Sequence, residues 1–396
     1  MIPQVYMNDF KLPVEIEKDS EYLSRVCFEL DRYNDFIANN FPDLKALIKN
    51  ISCNIKSVKE ALNNYLNGKL YTAHALIRSY IEQVKDSPFF NAVIDENYAF
   101  RGFSVPALRP SFYAKDEYYA MCYEHMMKKE LSFFRARLSE SHLKREDMLH
   151  IPFDKREIVK NFRFSVTGLP CCYLSTTSWG SWIEMGKPSR RKFNVSAFKL
   201  PKNLRVLNLC VQQYLIDGMS AMPSPEEYQR IIYMLEIFPL VIATSFRVTR
   251  QKERVFKSEY VISQIIMQVC CELGIDGVAY LSRRTDDMIA YPYAVNLALL
   301  MTGDEKSKYW SRADEVELTE PFRFSDFMKL PEHERNISGH EEYKSFVNDI
   351  YAKGRKGGHG MITFRHKRVP YIDTCFSAFD EYLLGREFRN FESASA

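Results

Sequence analysis

The hydrophobic pattern of this chain changes partway along its length, and that change restricts the fold more than any other feature of the sequence. Through residues 17 to 86, apolar residues recur three and four positions apart, as on one face of an α-helix, and Pro42 and Gly68 interrupt the pattern. From Lys129 onward the apolar runs are short, which is typical of short strands mixed with helices. We therefore predict an α+β fold in which an N-terminal helical bundle precedes a mixed-sheet domain.

Length and charge set the number of domains and exclude some classes of partner. At 396 residues the chain is too long for one ordinary core. We predict a helical domain at 1–128, a mixed-sheet domain at 129–305 and a C-terminal extension at 306–396. The 54 Lys and Arg residues nearly balance the 51 Asp and Glu residues. The net charge therefore does not indicate nucleic acid or an anionic membrane as a partner.

The sequence also predicts a cytoplasmic protein. Its first residues contain acids and no apolar core of signal-peptide length, and no uncharged apolar run of about 18 residues follows. The nine cysteines include the adjacent pairs Cys171-Cys172 and Cys270-Cys271 but no Cys-x-x-Cys spacing. Adjacent cysteines on a strand point to opposite faces, which suits neither a disulfide nor a shared metal. We expect reduced thiols and no zinc site.

The stretch from Leu131 to Leu138 predicts a strand with two arginines on one face. With a period of two, Phe134, Ala136 and Leu138 share one side of the strand, and Arg135 and Arg137 share the other. Guanidinium groups on an aromatic-rich strand suit a bidentate grip on phosphate or carboxylate. The alternative interpretation is a solvated strand face.

The stretch from Arg163 to Glu184 predicts a turn, a strand and the start of a helix. Gly168 and Pro170 break the chain, and the apolar run that follows is a candidate buried strand. Ser and Thr residues, which favour helix N-caps, come next. This arrangement places Tyr173 on the strand and Glu184 on the helix. The simpler interpretation is a core strand packed on a helix with one exposed acid.

Later stretches supply more helices and strands. Residues 225 to 244 predict an apolar helix that Pro239 should kink or end. A second buried helix, within Lys257–Cys271, contains Ser263. Leu273–Leu281 predicts a turn and a strand with Ser282 at its end, and Val295–Met301 predicts another buried strand.

Four of these features together resemble the RES domain, a family named for its Arg, Glu and Ser. The features are the F-R-A-R strand at Phe134–Arg137, the G-x-P-x-x-Y-L-S strand at Gly168–Ser175, the W-x-E helix end at Trp182–Glu184, and G-I-D-G-V-A-Y-L-S at Gly274–Ser282 followed by Asn296. The resemblance covers about residues 130 to 302. Its most specific element is the eleven-residue step from Tyr173 to Glu184.

The resemblance implies roles for individual side chains. Arg135 looks like the family arginine, and Arg137 is the alternative because both point the same way. Tyr173 looks like the tyrosine that packs on or bonds the nicotinamide end of NAD. Glu184 looks like the family glutamate, which would hold the ribose and stabilise positive charge that develops on it.

The family serine has two candidates. Ser282 looks like this serine, and Ser263 competes with it because this chain has long insertions between Glu184 and Ser282 relative to the smaller toxins. The N-terminal helices resemble those that accompany some RES domains, which implies a regulatory or partner-binding module.

RES toxins resemble ADP-ribosyltransferases in fold and degrade NAD by phosphorolysis or hydrolysis in toxin–antitoxin and phage-defence settings. The resemblance implies an ADP-ribosyltransferase-like sheet domain that takes NAD as its substrate and needs no other cofactor. An antitoxin, a defence-system partner and a homo-oligomer all remain open. Two alternatives are an ADP-ribosyltransferase that modifies a protein or nucleic acid, and a non-catalytic protein that senses a nucleotide.

Overall fold

A computed structural model describes most of the chain. The described residues are 10–101, 130–211, 225–250, 254–285, 291–303, 307–335, 361–364 and 367–391. The two predicted domain boundaries, after residues 128 and 305, lie outside these ranges. Among the described residues, no helix combines the length and the apolar composition needed to cross a bilayer.

The N-terminal helices form where the apolar spacing predicts them. A short strand, β1 (Val14–Ile16), precedes α1 (Tyr22–Asn40), α2 (Lys45–Leu66) and α3 (Leu70–Val84). Most of the regularly spaced apolar residues of each helix are buried, although Leu70 at the start of α3 is 55% exposed. Gly68, between α2 and α3, has a φ of 78°, a left-handed conformation that glycine adopts without strain. The predicted helical bundle is confirmed.

The strands of the described residues form one large mixed sheet and two separate two-stranded sheets. The strands after β1 are β2 (Asn91–Val93), β3 (Phe133–Leu138), β4 (Cys171–Ser175), β5 (Phe193–Lys199), β6 (Arg205–Leu209), β7 (Phe246–Val248), β8 (Gly277–Leu281), β9 (Val295–Leu300), β10 (Glu317–Thr319), β11 (Phe322–Arg323), β12 (Met361–Phe364), β13 (Lys367–Pro370) and β14 (Phe388–Asn390). The two-stranded sheets pair β1 with β7 and β12 with β13. The order across the large sheet is β14-β10-β5-β3-β4-β9-β8-β6-β2, with β11 also on β5. Its β6 and β8 are parallel and its other neighbours are antiparallel.

Short and long helices connect these strands and cover the sheet. They are α4 (Tyr98–Arg101), α5 (Ser178–Glu184), α6 (Pro225–Ala243), α7 (Val261–Glu272), α8 (Phe324–Phe327), α9 (Glu332–Arg335) and α10 (Cys375–Leu384). The helices at the N-terminus and the mixed sheet that follows confirm the predicted α+β class.

Alternate residues of the central strands face two different cores. On β8, Val278 and Tyr280 lie in a first core with the N-terminal helices, α6 and α7. Their neighbours Ala279 and Leu281 lie in a second core with α5, α8 and α10. This period-two alternation makes the sheet the middle layer of the molecule. The N-terminal helices therefore share a core with the sheet domain.

The helix α6 runs through Pro239 and ends only at Ala243, so of the two predicted effects of the proline, a kink or an end, the end does not occur. Proline lacks an N–H, which leaves the carbonyl of Leu235, four residues earlier, without its helical donor. The hydroxyl of Tyr33 on α1 donates to that carbonyl at 2.8 Å. A side chain from the N-terminal bundle thus satisfies the group that the proline exposes.

The region predicted as a C-terminal extension contributes to the main sheet. Its strand β10 pairs with β5, and β14 pairs with β10. Its helix α10 places Phe376 and Phe379 in the second core. Strands and helix together make this region one edge and one face of the sheet domain.

His150 is a buried, fully bonded core residue, with a side chain only 1% exposed. Its Nε2 accepts a hydrogen bond from the backbone N–H of Trp310 at 2.9 Å, and its Nδ1–H donates to the carbonyl of Ile151 at 2.6 Å. Burial, with help from the nearby Arg135 and Arg137, lowers the pKa of His150 from 6.5 to about 4.

We predict that His150 makes the fold sensitive to acid. Because its pKa is depressed in the folded state, its contribution is complete above pH 6.5 and is lost as pH falls towards 4. The loss amounts to about 3 kcal/mol. His150→Gln should remove this part of the pH dependence when urea unfolding is measured from neutral to acid pH. The exposed His142→Gln is the control, and equal pH dependence in both variants would contradict the prediction.

Candidate active site

A cavity of about 470 Å³ lies beside the central strands, within the size range of small-molecule sites. Its lining includes Arg135 from β3, Tyr173 from β4 and Glu184 from the end of α5. Three side chains that are far apart in the sequence therefore meet around one space. The roles predicted for these residues remain predictions.

The register of three strands builds the floor of this site. Ser175 on β4 pairs with Asn296 on β9, and Asn296 pairs with Tyr280 on β8. Directly paired residues point to the same face of a sheet, so their side chains form a row. Ser282 follows Tyr280 by two positions and therefore lies on the same side of the chain. One register thus brings Asn296 and Ser282 together.

The helix α5 carries Glu184 to this row. Its N-cap is Thr177, whose hydroxyl accepts the N–H of Gly180 at 2.9 Å. A Cβ on Gly180 would lie 2.0 Å from Ser175 Oγ and 3.1 Å from the carbonyl oxygen of Tyr293. Only glycine permits this close approach of the helix to the strands. The helix ends at Glu184, which is half-buried.

Glu184 is held by side chains from two strands. Its Oε1 accepts hydrogen bonds from Ser282 Oγ at 2.6 Å and from Asn296 Nδ2 at 2.7 Å. Both donors are almost fully buried. No hydrogen bond among the described residues uses Oε2, so that oxygen is available to a ligand in the cavity. The carboxylate is therefore fixed in position and still able to bind.

Arg135 lies where two strands part. The register of β3 and β4 contains a single pair, Phe134 with Ser175. Next to this pair, Arg135 Nη1 donates to the backbone carbonyl of Tyr173 at 2.9 Å. Its Nε is buried and makes no hydrogen bond within the described part of the chain. The guanidinium is thus anchored at one nitrogen and keeps other donors for a ligand.

Arg137 occupies a different place. Its Nη2 donates to the carbonyl of Leu149 at 3.0 Å, and its side chain is not part of the cavity lining. Burial, together with repulsion from Arg135, lowers the pKa of Arg137 to about 10, so it stays charged at neutral pH. The structure thus separates two arginines that the sequence could not distinguish.

Tyr173 presents its ring to the cavity, while its hydroxyl is already bonded. The hydroxyl donates to the carbonyl of Phe164 at 2.6 Å, and the ring meets Phe162 edge to face. Burial, followed by the nearby thiol of Cys171, raises the pKa of Tyr173. The phenol therefore stays neutral, and its ring can offer an apolar surface to a ligand.

Basic side chains dominate the rest of the cavity. Besides Arg135, the cationic residues in its lining are Arg163, Arg247, Arg254, Lys257, Arg283 and Arg284, against the carboxylates Glu184 and Glu259. Arg163 has a structural role, because its guanidinium donates hydrogen bonds to the backbone carbonyls of Thr244, Phe246 and Glu259. The excess of cations in a partly enclosed space favours an anionic ligand.

The two candidate serines lie in different environments. Neither serine is part of the cavity lining, but Ser282 bonds the lining residue Glu184 directly, whereas Ser263 is fully buried inside α7. The hydroxyl of Ser263 has no hydrogen-bond partner among the described residues. The geometry therefore favours Ser282 as the serine of the site.

Sequence reasoning did not assign site roles to several residues that the structure brings to the cavity, among them Asn296, Tyr280 and Arg163. Asn296 belongs to the RES resemblance but was given no role, although it is a polar residue inside the apolar strand VNLALL. A buried side-chain amide needs a hydrogen-bond partner, so such a residue indicates a polar neighbour in the fold. Arg163 and Tyr280 reach the cavity through tertiary packing, and the sequence around them carries no comparable signal.

The described residues contain no preformed ligand set for a metal ion. They contain no group of three or more His, Cys, Asp or Glu side chains suited to a metal ion. Their cysteines are free thiols, and burial raises the pKa of Cys171 and of Cys270.

The C-terminal region fixes the N-terminal end of α5. The buried carboxylate of Asp380 on α10 accepts the backbone N–H of Ser178 at 3.1 Å, and the hydroxyl of Tyr371 donates to it as well. Burial raises the pKa of Asp380 from 3.8 to about 7, although the bonds from Ser178 and Tyr371 oppose that rise. The helix that ends in Glu184 is therefore attached to the C-terminal region at its start.

We predict that Asp380 destabilises the fold as pH rises. Because its pKa is raised in the folded state, its contribution is complete below pH 3.8 and is lost as pH rises through about 7. If the folded structure does not rearrange, the free energy of unfolding falls by about 4 kcal/mol. Asp380→Asn should keep the acceptor for Ser178 and raise the free energy of unfolding at pH 8, measured in urea. The exposed Asp373→Asn should not, and a less stable Asp380→Asn at pH 8 would refute the prediction.

Comparison with known proteins gives one informative relative. The chain is 30% identical over 208 residues to "Putative toxin YopC" of Bacillus subtilis (strain 168). The match covers 49% of this chain and 47% of that protein, so the chain spans about half the length of the curated relative. No family model matches the chain. No solved structure matches it either.

Proposed function

We propose that this chain is an NAD-degrading enzyme that cleaves the bond between nicotinamide and ribose and acts as a toxin. One observation carries the proposal: Arg135, Tyr173 and Glu184 line one cavity, and Ser282 and Asn296 hold the glutamate. These are the residue types, on the same strands and helix, that the RES resemblance brings together. On this proposal the sheet domain is ADP-ribosyltransferase-like.

The size and charge of the cavity support a dinucleotide substrate. Its volume of about 470 Å³ suits a ligand of that class. The cationic lining would bind the pyrophosphate, and Arg135 offers paired donors for its oxygens. The ring of Tyr173 offers a surface for stacking by a base or by nicotinamide.

The chemistry follows from the position of Glu184. When the C–N bond breaks, its electron pair goes to the nicotinamide ring, and the ribose becomes an oxocarbenium-like cation. A carboxylate whose Oε1 is fixed by Ser282 and Asn296 can direct Oε2 at the ribose hydroxyls and stabilise that charge without moving. Water, phosphate or a macromolecular side chain then attacks the ribose carbon, and the acceptor determines the product. NAD is consumed, so no further cofactor is required.

The toxic role is supported by the partial similarity to "Putative toxin YopC" and by the RES resemblance. A toxin that degrades NAD would act in the cytoplasm and need an antitoxin or a defence-system trigger. The N-terminal helices are the proposed regulatory or partner-binding region.

Glu184→Gln is the first test. The amide keeps the size of the side chain and removes the charge that would stabilise the cation, so turnover of NAD should fall about 100- to 1,000-fold. In cells, the wild type should deplete NAD and arrest growth, and Glu184→Gln should do neither. NAD consumption is measured by chromatography of the purified protein's reaction, and growth is measured on induction.

The exposed Glu157→Gln is the matched control and should behave as the wild type. The products formed with and without phosphate distinguish a hydrolase from a phosphorylase. Label transferred from NAD to protein or nucleic acid would identify a transferase instead. If NAD stays constant in cells that the wild type arrests, the proposed activity is wrong.

The two arginines provide a second test. Arg135→Lys should lower kcat/KM roughly ten- to a hundredfold, because lysine cannot give the paired donors that a pyrophosphate oxygen pair accepts. Arg137→Lys should leave kcat/KM within about threefold and cost about 1 kcal/mol of stability, since it breaks a single bond to Leu149. A reversed order of the two effects in steady-state kinetics would assign the role to Arg137.

A further inference from the structure

One wall of the cavity comes from outside the central sheet. It consists of β7 and residues 254–260, which lead into α7, and we call it the basic wall. Its cavity-lining residues are Arg247, Val248, Arg254, Lys257, Glu259 and Tyr260. The wall presents three cations to an anionic ligand, of which Arg247 is paired with Glu15, and Arg254 is paired with Asp19 and Glu259.

The N-terminal segment of the described chain pairs with this wall. β1 runs parallel to β7, with Val14 opposite Phe246 and Ile16 opposite Val248. After the strand, Thr249 N–H donates to the carbonyl of Ile16 at 2.9 Å. The first residues of the described chain therefore form a two-stranded sheet with part of the cavity lining.

Asp19 makes the most specific of these contacts. Its Oδ1 accepts Arg254 Nε at 2.9 Å and the backbone N–H of Ser258 at 3.0 Å, and its Oδ2 accepts Ser258 Oγ at 2.5 Å. Arg254 in turn pairs with the buried carboxylate of Glu259. One side chain thus fixes both Arg254 and Ser258 of the basic wall.

These contacts are shielded from solvent. The side chains of Asp19 and Arg254 are 23% and 15% exposed, and that of Glu259 is 5% exposed. Partly buried charged hydrogen bonds are stronger than exposed ones and costly to leave half-made. Loss of Asp19 would therefore leave Ser258 without this acceptor and Arg254 without one of its two carboxylate partners, while Glu184, Ser282 and Asn296 keep their own contacts.

We propose that Asp19 is a positioning residue for the cavity: it fixes the basic wall, and through it the N-terminal region sets the affinity of the site for a dianionic ligand. The first half of this inference concerns the wall alone. The second half rests on the proposed function, because it assumes a nucleotide with a pyrophosphate.

Hydrogen exchange of the full chain tests the first half. In Asp19→Ala, the backbone amides of residues 254–260 should exchange about tenfold faster, since Ser258 N–H loses its buried acceptor. Asp19→Asn, which keeps an acceptor but no charge, should give a smaller change. The control is Asp31→Ala, which removes an ion pair between Asp31 of α1 and Lys59 of α2 and should leave residues 254–260 unchanged.

Unchanged exchange at residues 254–260 in Asp19→Ala would overturn the inference. An equal rise throughout the helices and the sheet would also overturn it, because Asp19 would then act on global stability alone.

Calorimetric titration with ADP-ribose tests the second half. Asp19→Ala should weaken binding roughly tenfold, the equivalent of one charged hydrogen bond, and Asp31→Ala should not. In turnover of NAD, KM should rise while kcat stays within about twofold, whereas a fall in kcat alone would mean a smaller folded fraction.

Equal affinity in Asp19→Ala and wild type would refute the second half. A wild type that binds no ADP-ribose would refute both that half and the proposed function, and the exchange experiment would still decide the role of Asp19.

Discussion

The hydrogen bonds that fix Glu184 are the interaction on which the candidate site depends. A carboxylate at the last residue of a helix faces the negative end of the helix dipole, so the helix itself does not favour it. Ser282 and Asn296 supply the compensating donors, and both come from strands. Because these donors are buried, the carboxylate is set by the register of β8 and β9 and by the position of α5.

The register of β8 and β9 depends in turn on packing by regions near both ends of the described chain. The first core, which includes the N-terminal helices, covers one face of the sheet, and the second core covers the other. Asp380 of the C-terminal region holds the start of α5, and Asp19 of the N-terminal region holds the basic wall. The regions that looked like accessories at both ends of the chain are therefore parts of the framework around the cavity.

The sequence predicted the helices and strands well where one period dominates. The apolar spacing of α1, α2 and α3 is a strong local signal, since one face of each helix meets the core. The strand β3 forms where it is predicted, but its burial does not alternate: Phe133 and Phe134 are both buried, and Leu138 is 47% exposed. The C-terminal strands β10 and β14 were not anticipated, because each has only three residues and forms by pairing with β5 or with its neighbour. So short a strand has no pattern of its own.

The sequence by itself determined the chemistry available to this protein: the arginines of β3, the tyrosine of β4, the glutamate at the end of α5 and the serine after β8. Only the tertiary structure decided which of them share a cavity. Arg135 and Arg137 are equivalent by periodicity, yet one faces the cavity beside Tyr173 and the other bonds Leu149. Ser282 bonds Glu184 and Ser263 is buried inside α7, because long-range strand pairing and helix burial place side chains that no local pattern relates.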